Sequence, residues 1–499
     1  MVSENRPFRV IVVGGGVSGL AASHAFQKAG IHHVVLERRA TVAPAEGASI
    51  AMYPHGARIL HQLGCLSTIK QHSSTPDRWR ARLPSGKLIA NNGVFRVLEA
   101  NHGSGLLLIE RRQFLQDLYD TLPDKTFIKT SCIIEDIKQD EDGVEVLLSD
   151  GSIERGDLIL GCDGVHSFVR RTLWEHANKT LLGSITVKEK LTIRADWKCL
   201  VVTTGPIAEL GDRDLTVVHN KNYSHMYTMT PTLGYFFVFF HLDEPWTFPK
   251  RTQYTNQDTQ DIADQISNHA MSETVVFGEV WKHRIRAAVV NLEEGVLNHW
   301  YHGRIVLAGD SVHKLIPGLP WQVTPNMAFG GNSGLESIVT LTNLLRQTLI
   351  DRSWARPSAK ELEKVLATYQ SERLDRMNDI EKFSGEITKM QAWHRPWDKL
   401  ISTWLVPMLP ARFFGDQLGN IIRAAPKLDF IDASDFPSGR MQWKDTDGKS
   451  KETKYSAVGL HAFLGVNQVG LLSATAAFFM VFYSLSDIVF TWAAKGLRG

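Results

Sequence analysis

The first forty residues show the clearest switch of hydrophobic period in the chain. Phe8 to Val13 (FRVIVV) is an unbroken apolar run of strand length, Leu20 to Lys28 reads as a helix, and His33 to Leu36 is a second short apolar run. The order predicts strand, helix and strand, the unit of a parallel sheet. Ala57 to Leu63 and Arg112 to Leu122 have helical character, and Ile133 to Ile137 and Val144 to Leu148 flank Asp142-Gly143 as a hairpin. Asp157 to Cys162 and Arg304 to Ala308 are two further buried runs. Between about 180 and 290 the pattern turns to strands, at Leu215 to Val218, His225 to Met229 and Tyr235 to Leu242. Ser333 to Ile350 and Lys360 to Phe383 read as helices, and 390–440, rich in Trp and Pro, as an extended surface segment.

This predicts an α/β chain: a Rossmann-like dinucleotide domain split over 1–178 and 291–388, the latter including C-terminal helices. A β-sheet substrate domain over 179–290 is inserted between them. An extended linker over 389–454 and a hydrophobic tail over 455–499 follow.

The first strand runs into Gly14-Gly15-Gly16-Val17-Ser18-Gly19. Gly14 allows the tight turn, Gly16 lets a pyrophosphate approach the backbone, and Gly19 lets helix and strand pack closely. Phosphate then meets the amides and positive end of the helix. Glu37 ends the second strand, where a carboxylate accepts from ribose hydroxyls and disfavours a 2′-phosphate, so FAD or NAD fits better than NADP.

Composition narrows the class. With 499 residues and a net charge of +2, the chain offers no basic tract for nucleic acid. Cys65, Cys132, Cys162 and Cys199 are scattered, as expected of reduced thiols, and the 19 histidines show no metal-ligand spacing. The polar start (MVSENRPFR) predicts no signal peptide. Tyr455 to Ser486 lacks Asp, Glu, Lys and Arg, and Gly465 to Leu485 is long enough to cross a bilayer. The lysine-rich stretch before it predicts a C-terminal membrane helix with the catalytic part on the cytosolic side, at the endoplasmic reticulum face. A helix buried against the protein's own core, or lying in the membrane interface, is the alternative. Oligomeric state stays open.

Three motifs stand in order: the glycine fingerprint, Gly156 to Gly164 (GDLILGCDG) and Gly303 to His313 (GRIVLAGDSVH). Together they resemble the single-component flavoprotein monooxygenases of the para-hydroxybenzoate hydroxylase type. Gly47 to Ile50, Pro54 to Leu60, Ile109-Glu110-Arg111 with Leu118-Tyr119-Asp120, Gly309 to Lys314 and Ala425 to Phe430 are similar to fungal epoxidases of indole-diterpene and meroterpenoid biosynthesis. The resemblance implies FAD contacts at Glu37, Ala51, Arg111, Asp310 and Gly331, and links Asp163 with Arg170 to FAD and NADPH. Asp163 reads equally well as a turn-capping carboxylate. No second glycine fingerprint is present, so NADPH or NADH would visit transiently. Where the family runs from His-Lys to Thr-Pro-Asn in a short hop, this chain carries about eight extra residues, near Leu315 to Gln322, read either as an adaptation or as a gene-model error.

The implied reaction is epoxidation of an alkene in a prenylated small molecule. Reduced FAD activates O2 while the protein positions the alkene and excludes water. Tyr223 is the candidate substrate-side hydroxyl, and alternate members of Tyr235, Phe236, Phe237, Phe239 and Phe240 the candidate pocket lining. His313 reads as structural or as a hydrogen-bond donor beside the flavin. Aromatic hydroxylation of the salicylate hydroxylase type, prenyl-chain reduction and a flavoprotein without turnover remain alternatives.

Overall fold

The computed structural model describes residues 6–45, 47, 49–247, 252–314, 329–393 and 396–446. A six-stranded sheet carries the fingerprint. Its order is Tyr301–His302, Ile305–Leu307, Leu158–Gly161, Arg9–Val13, His32–Leu36 and Ile128–Lys129. All neighbours are parallel except the Tyr301–His302 edge, with Ile11 opposite Ile159 on one side and Val34 on the other. Its central strands are buried on both faces, which is why they read as unbroken Val, Ile and Leu. The hairpin gains a third strand, Ile153–Gly156, to make a small antiparallel sheet.

A second, eight-stranded sheet runs in the order His313–Lys314, Arg284–Val296, Arg194–Thr204, Gly234–Thr247, Tyr223–Met229, Asp214–His219, Arg78–Arg82 and Leu88–Asn92. Two of its strands therefore come from before residue 100, and Arg78–Arg82 joins Asp214–His219 in parallel. Alternation fixes its faces. Tyr235, Phe237 and Phe239 lie on one, in register with Thr228, Met226 and Ser224. Phe236, Val238 and Phe240 lie on the other, which packs beneath Asn256–Gln265 and Phe277–Lys282.

Ser49–Met52 and Leu107–Glu110 form a two-stranded ribbon. Leu108 and Ala51 of that ribbon cluster with Tyr235, Val201 and Phe237 of the large sheet. The helix Phe329–Asp351 packs across Val17–Ala29 with almost no gap. A Cβ at Gly309 would lie 2.4 Å from Ser18 Oγ, and one at Gly334 would lie 2.6 Å from it.

The expectation of an extended segment over 389–454 needs correction. Residues 396–408 are continuously helical, and a further helix spans Ala411–Ile422. Phe414, Leu418 and Ile422 form an i, i+4, i+8 stripe that is buried, each contributing roughly 2 kcal/mol. Gly415 sits where a Cβ would come within 2.4 Å of Val97, and Asn101 Nδ2 donates to its carbonyl at 2.9 Å. Beyond this helix the chain is irregular but pinned. Gln62 donates to the carbonyls of Leu428 (2.8 Å) and Ile431 (2.6 Å), and Arg58 pairs with Asp445 at 2.8 Å. Among the described residues no helix is long and apolar enough to cross a membrane. The tail from 455, with its expected membrane helix, and the insertion Leu315 to Gln322 lie outside the described residues.

Candidate flavin site

The glycines divide by what surrounds them. A Cβ on Gly14, whose φ is +102°, would lie 2.6 Å from the Cys162 carbonyl oxygen, and one on Gly19 only 1.8 Å from that of Gly14. Both positions are closed by backbone, so only glycine fits. Among the described residues a Cβ on Gly16 would meet nothing within 4 Å. Gly16 is the N-cap of Val17–Ala29, so this open space faces a helix N-terminus, whose first amides have no partner within the helix, a cradle suited to a pyrophosphate. Glu37 stands beside it, accepting from the Gly15 amide at 2.7 Å and the Arg39 amide at 2.9 Å.

Asp310 follows Gly309, whose φ of +68° turns the chain at the end of the Ile305–Leu307 strand. A Cβ on Gly330, in the first turn of Phe329–Asp351, would lie 3.8 Å from Asp310 Oδ1. The carboxylate thus sits at the foot of that helix and accepts from Lys314 Nζ. Burial pulls the Lys314 pKa down, but the Asp310 carboxylate, and Glu293 behind it, hold it above its ordinary range.

Ala51, Arg111 and Gly331 gather around the two-stranded ribbon. Arg111 follows directly after Leu107–Glu110, and its Cδ would be 2.9 Å from a Cβ on Gly47. Gly331 leaves room for Ile50 and Met52, whose side chains a Cβ would approach to 2.9 and 3.0 Å. Asn332 locks this junction, donating to the Ala51 carbonyl at 2.9 Å and accepting from the Tyr53 amide at 3.0 Å. Gly330, Gly331 and Asn332 belong to the helix itself rather than preceding it. These are the groups that could hold an extended FAD: the open space at Gly16 for phosphate, the carboxylates of Glu37 and Asp310 for sugar or ribityl hydroxyls, and the ribbon at Ala51 and Gly331 for the ring.

A family model described as "FAD binding domain" matches residues 8–384. The chain belongs to this FAD-binding family. FAD-dependent monooxygenase DEP2 of Alternaria brassicicola is 38% identical over 448 residues, 89% of this chain and 83% of the relative. FAD-dependent monooxygenase paxM of Penicillium paxilli is 30% identical over 460 residues, 90% and 92% of the two chains. The crystal structure of Klebsiella pneumoniae HpxO with FAD and uric acid superposes with a TM-score of 0.68 at 19% identity. That match covers 84% of this chain and 97% of that one, and shows the shared fold.

In this FAD-dependent monooxygenase two candidates stand apart from the others. Asp163 spends its carboxylate on the helix Phe168–Thr180, accepting from Ser167 Oγ at 2.5 Å and the amides of Phe168 (2.6 Å) and Val169 (3.1 Å). Burial nonetheless pushes its carboxyl above the usual range. The neighbouring Arg170 is buried, its pKa drawn down to about 10 by burial, and it donates to the carbonyls of Ser311 (2.9 Å) and Val165 (2.6 Å). The pair therefore fastens the middle motif to the late one.

Tyr223 shares a face with His225 and Tyr227, the face beneath Phe277–Lys282. Its hydroxyl donates to Asn220 at 2.9 Å and its ring stacks on His269 at 5.0 Å. Ala51 packs on the opposite face of the sheet, so the structure does not bring Tyr223 to the other candidates. His313 is buried, pairs with Ser337 Oγ at 3.0 Å, and is pushed down to about 3 by burial, which keeps it neutral.

One group went unread in the sequence. Glu336, fully buried, binds Arg373 and Arg376 at 2.6 Å each, with His55 at 3.4 Å. Arg373 also reaches Ser337 and the Ser333 carbonyl, so this cluster holds the first turns of the helix behind the flavin site. Its sequence signal is a lone acid inside an apolar helix.

Proposed function

We propose that this monooxygenase epoxidises an alkene of a prenylated meroterpenoid or indole-diterpene intermediate in fungal secondary metabolism. One oxygen atom of O2 enters the alkene, the other leaves as water, and NADPH or NADH supplies the two electrons. Bound FAD contributes the redox chemistry and oxygen activation. Gly16, Glu37 and Asp310 would hold and orient the cofactor, and Ala51, Arg111 and Gly331 would stand on the side of its ring.

The observation that carries this reading is the sheet face turned toward Ala51. Tyr235, Phe237 and Phe239 lie on it with Met226 and Val217, and Phe237 stays partly exposed within that apolar group. Such a surface takes a hydrocarbon chain and keeps water from the reacting alkene. Arg286, a cation near Tyr235, is committed to Glu110, which argues against capture of a carboxylate substrate. We further propose that Gly465 to Leu485 anchors the chain in a membrane where such substrates partition.

The test is product analysis with membranes carrying the protein, NADPH, O2 and a farnesylated phenolic ester. An epoxide on the prenyl chain supports the reading. A hydroxyl on the ring would replace it with aromatic hydroxylation, and a saturated chain without oxygen would replace it with reduction.

A further inference from the structure

The continuous helix over 396–408 is built inside out. Its buried positions 398, 402 and 406 are Asp398, Ser402 and Val406, while Leu400, Trp404 and Met408, also four apart, face outward. Leu400 is 53% exposed, Trp404 67% and Met408 75%, with Leu405 beside them at 41%. Ser402 Oγ accepts from Trp393 Nε1 at 2.8 Å and donates to the Lys399 carbonyl. Ser402 is therefore fixed inward by hydrogen bonds on both sides, and the exposed apolar row is not a slipped register. Water is the wrong solvent for that face.

Charge identifies its occupant. From 388 to 412 the sequence carries Lys389, Arg395, Lys399 and Arg412 against Asp398 as the sole acid, and places Trp393, Trp397 and Trp404 among them. An exposed apolar face carrying Trp404, in a stretch of sequence with four cations and one acid, matches the boundary of an anionic bilayer, where indoles sit at headgroup depth and lysines meet phosphate. The described chain ends at Thr446, only 19 residues before Gly465, a reach of at most roughly 65 Å. We propose that Leu400, Trp404, Leu405 and Met408 lie in the surface of the membrane as a second contact. This rests on the tail anchor and goes beyond it. The site has a consequence for catalysis, because Asn222, at the start of the substrate-side strand Tyr223–Met229, donates its amide to the Ala392 carbonyl at 2.6 Å. The contact would hold the substrate sheet against the lipid that carries the prenylated substrate.

The experiment uses the full chain with Cys132→Ser and Met408→Cys, labelled with an environment-sensitive fluorophore. A control carries the label at Gln257→Cys, on the exposed helix Asn256–Gln265. Vesicles contain phosphatidylcholine and phosphatidylserine with brominated acyl chains. The label at 408 is expected to lose about half its emission and the control none, the loss disappearing when Leu400→Ser and Trp404→Ser are added. A chain that floats with vesicles while its 408 label stays unquenched overturns this contact and leaves the tail anchor standing. A chain that does not float overturns both. A 408 label already shielded without vesicles, and unchanged by them, assigns the face to a second copy or to the chain's own tail and overturns the proposal.

Discussion

Lys314, four residues further along the chain in the strand His313–Lys314, donates to the Asp310 carboxylate at the foot of the helix that begins at Phe329. The ion pair joins the late motif to the ring end of the candidate flavin site and is only partly exposed. Hydrogen bonds to a charged acceptor contribute about 1.5–3 kcal/mol, so Asp310→Ala is expected to weaken FAD binding by roughly ten- to a hundredfold. Lys314→Met, which leaves the carboxylate, should cost less. Fluorescence titration of the apoprotein with FAD measures both; equal affinity of Asp310→Ala and the parent would remove Asp310 from the cofactor site.

The glycines give a sharper contrast. Gly16→Ala places its methyl in open space, so thermal stability without cofactor should stay near the parent while FAD affinity falls. Gly19→Ala drives a methyl into the Gly14 carbonyl and should lower stability by about 3 kcal/mol or more, with or without FAD. Paired melting curves and FAD titrations of the two variants read the difference. Loss of stability in both would mean the space before Gly16 is not a cradle.

Acid sensitivity follows from burial. His55, His225 and His313 are each pushed down to about 3 in the folded chain. A folded pKa below the unfolded 6.5 means the unfolded chain binds the extra proton. Stability is complete above 6.5 and falls as pH drops toward 3, by roughly 2 kcal/mol per histidine at pH 5. Among the described residues neither ring nitrogen of His225 has a hydrogen-bond partner, in an aromatic pocket of Tyr223, His269 and Phe277. His225→Phe should therefore flatten the decline seen in urea melts between pH 7.5 and 5; an unchanged slope would show that His225 does not contribute.

The two faces of the large sheet predict opposite kinetics. Tyr223→Phe, on the face beneath Phe277–Lys282, should leave kcat and KM within about twofold. Phe237→Ala, on the face toward Ala51, should raise KM about tenfold and increase NADPH oxidation uncoupled from product. Steady-state assays with product quantitation decide. A large loss in Tyr223→Phe would put the substrate on the other face.

Legibility followed distance along the chain. Arg9–Val13, the fingerprint and His32–Leu36 are local, and a buried parallel strand announces itself by composition alone. The pairing of Arg78–Arg82 with Asp214–His219 spans some 136 residues and leaves no local trace. Period 2 tells which residues of Tyr235 to Phe240 share a face, but not which face packs against the ribbon of Ala51 and Leu108, and residue type alone does not tell on which face Tyr223 lies. In 396–422, Pro407, Pro410 and the tryptophans masked helices whose buried stripe, Phe414, Leu418 and Ile422, was present in the sequence. Glu336 could be seen as an acid in an apolar helix, while its arginines lie on another helix and became visible only in three dimensions.

The most direct test of the central claim is isotopic. Membranes bearing the protein would be given NADPH, a farnesylated phenolic ester and dioxygen enriched in the heavy isotope. One heavy oxygen on the prenyl chain per NADPH consumed is expected in coupled turnover. Oxygen drawn from water, or NADPH consumption that never labels the prenyl chain, would contradict it.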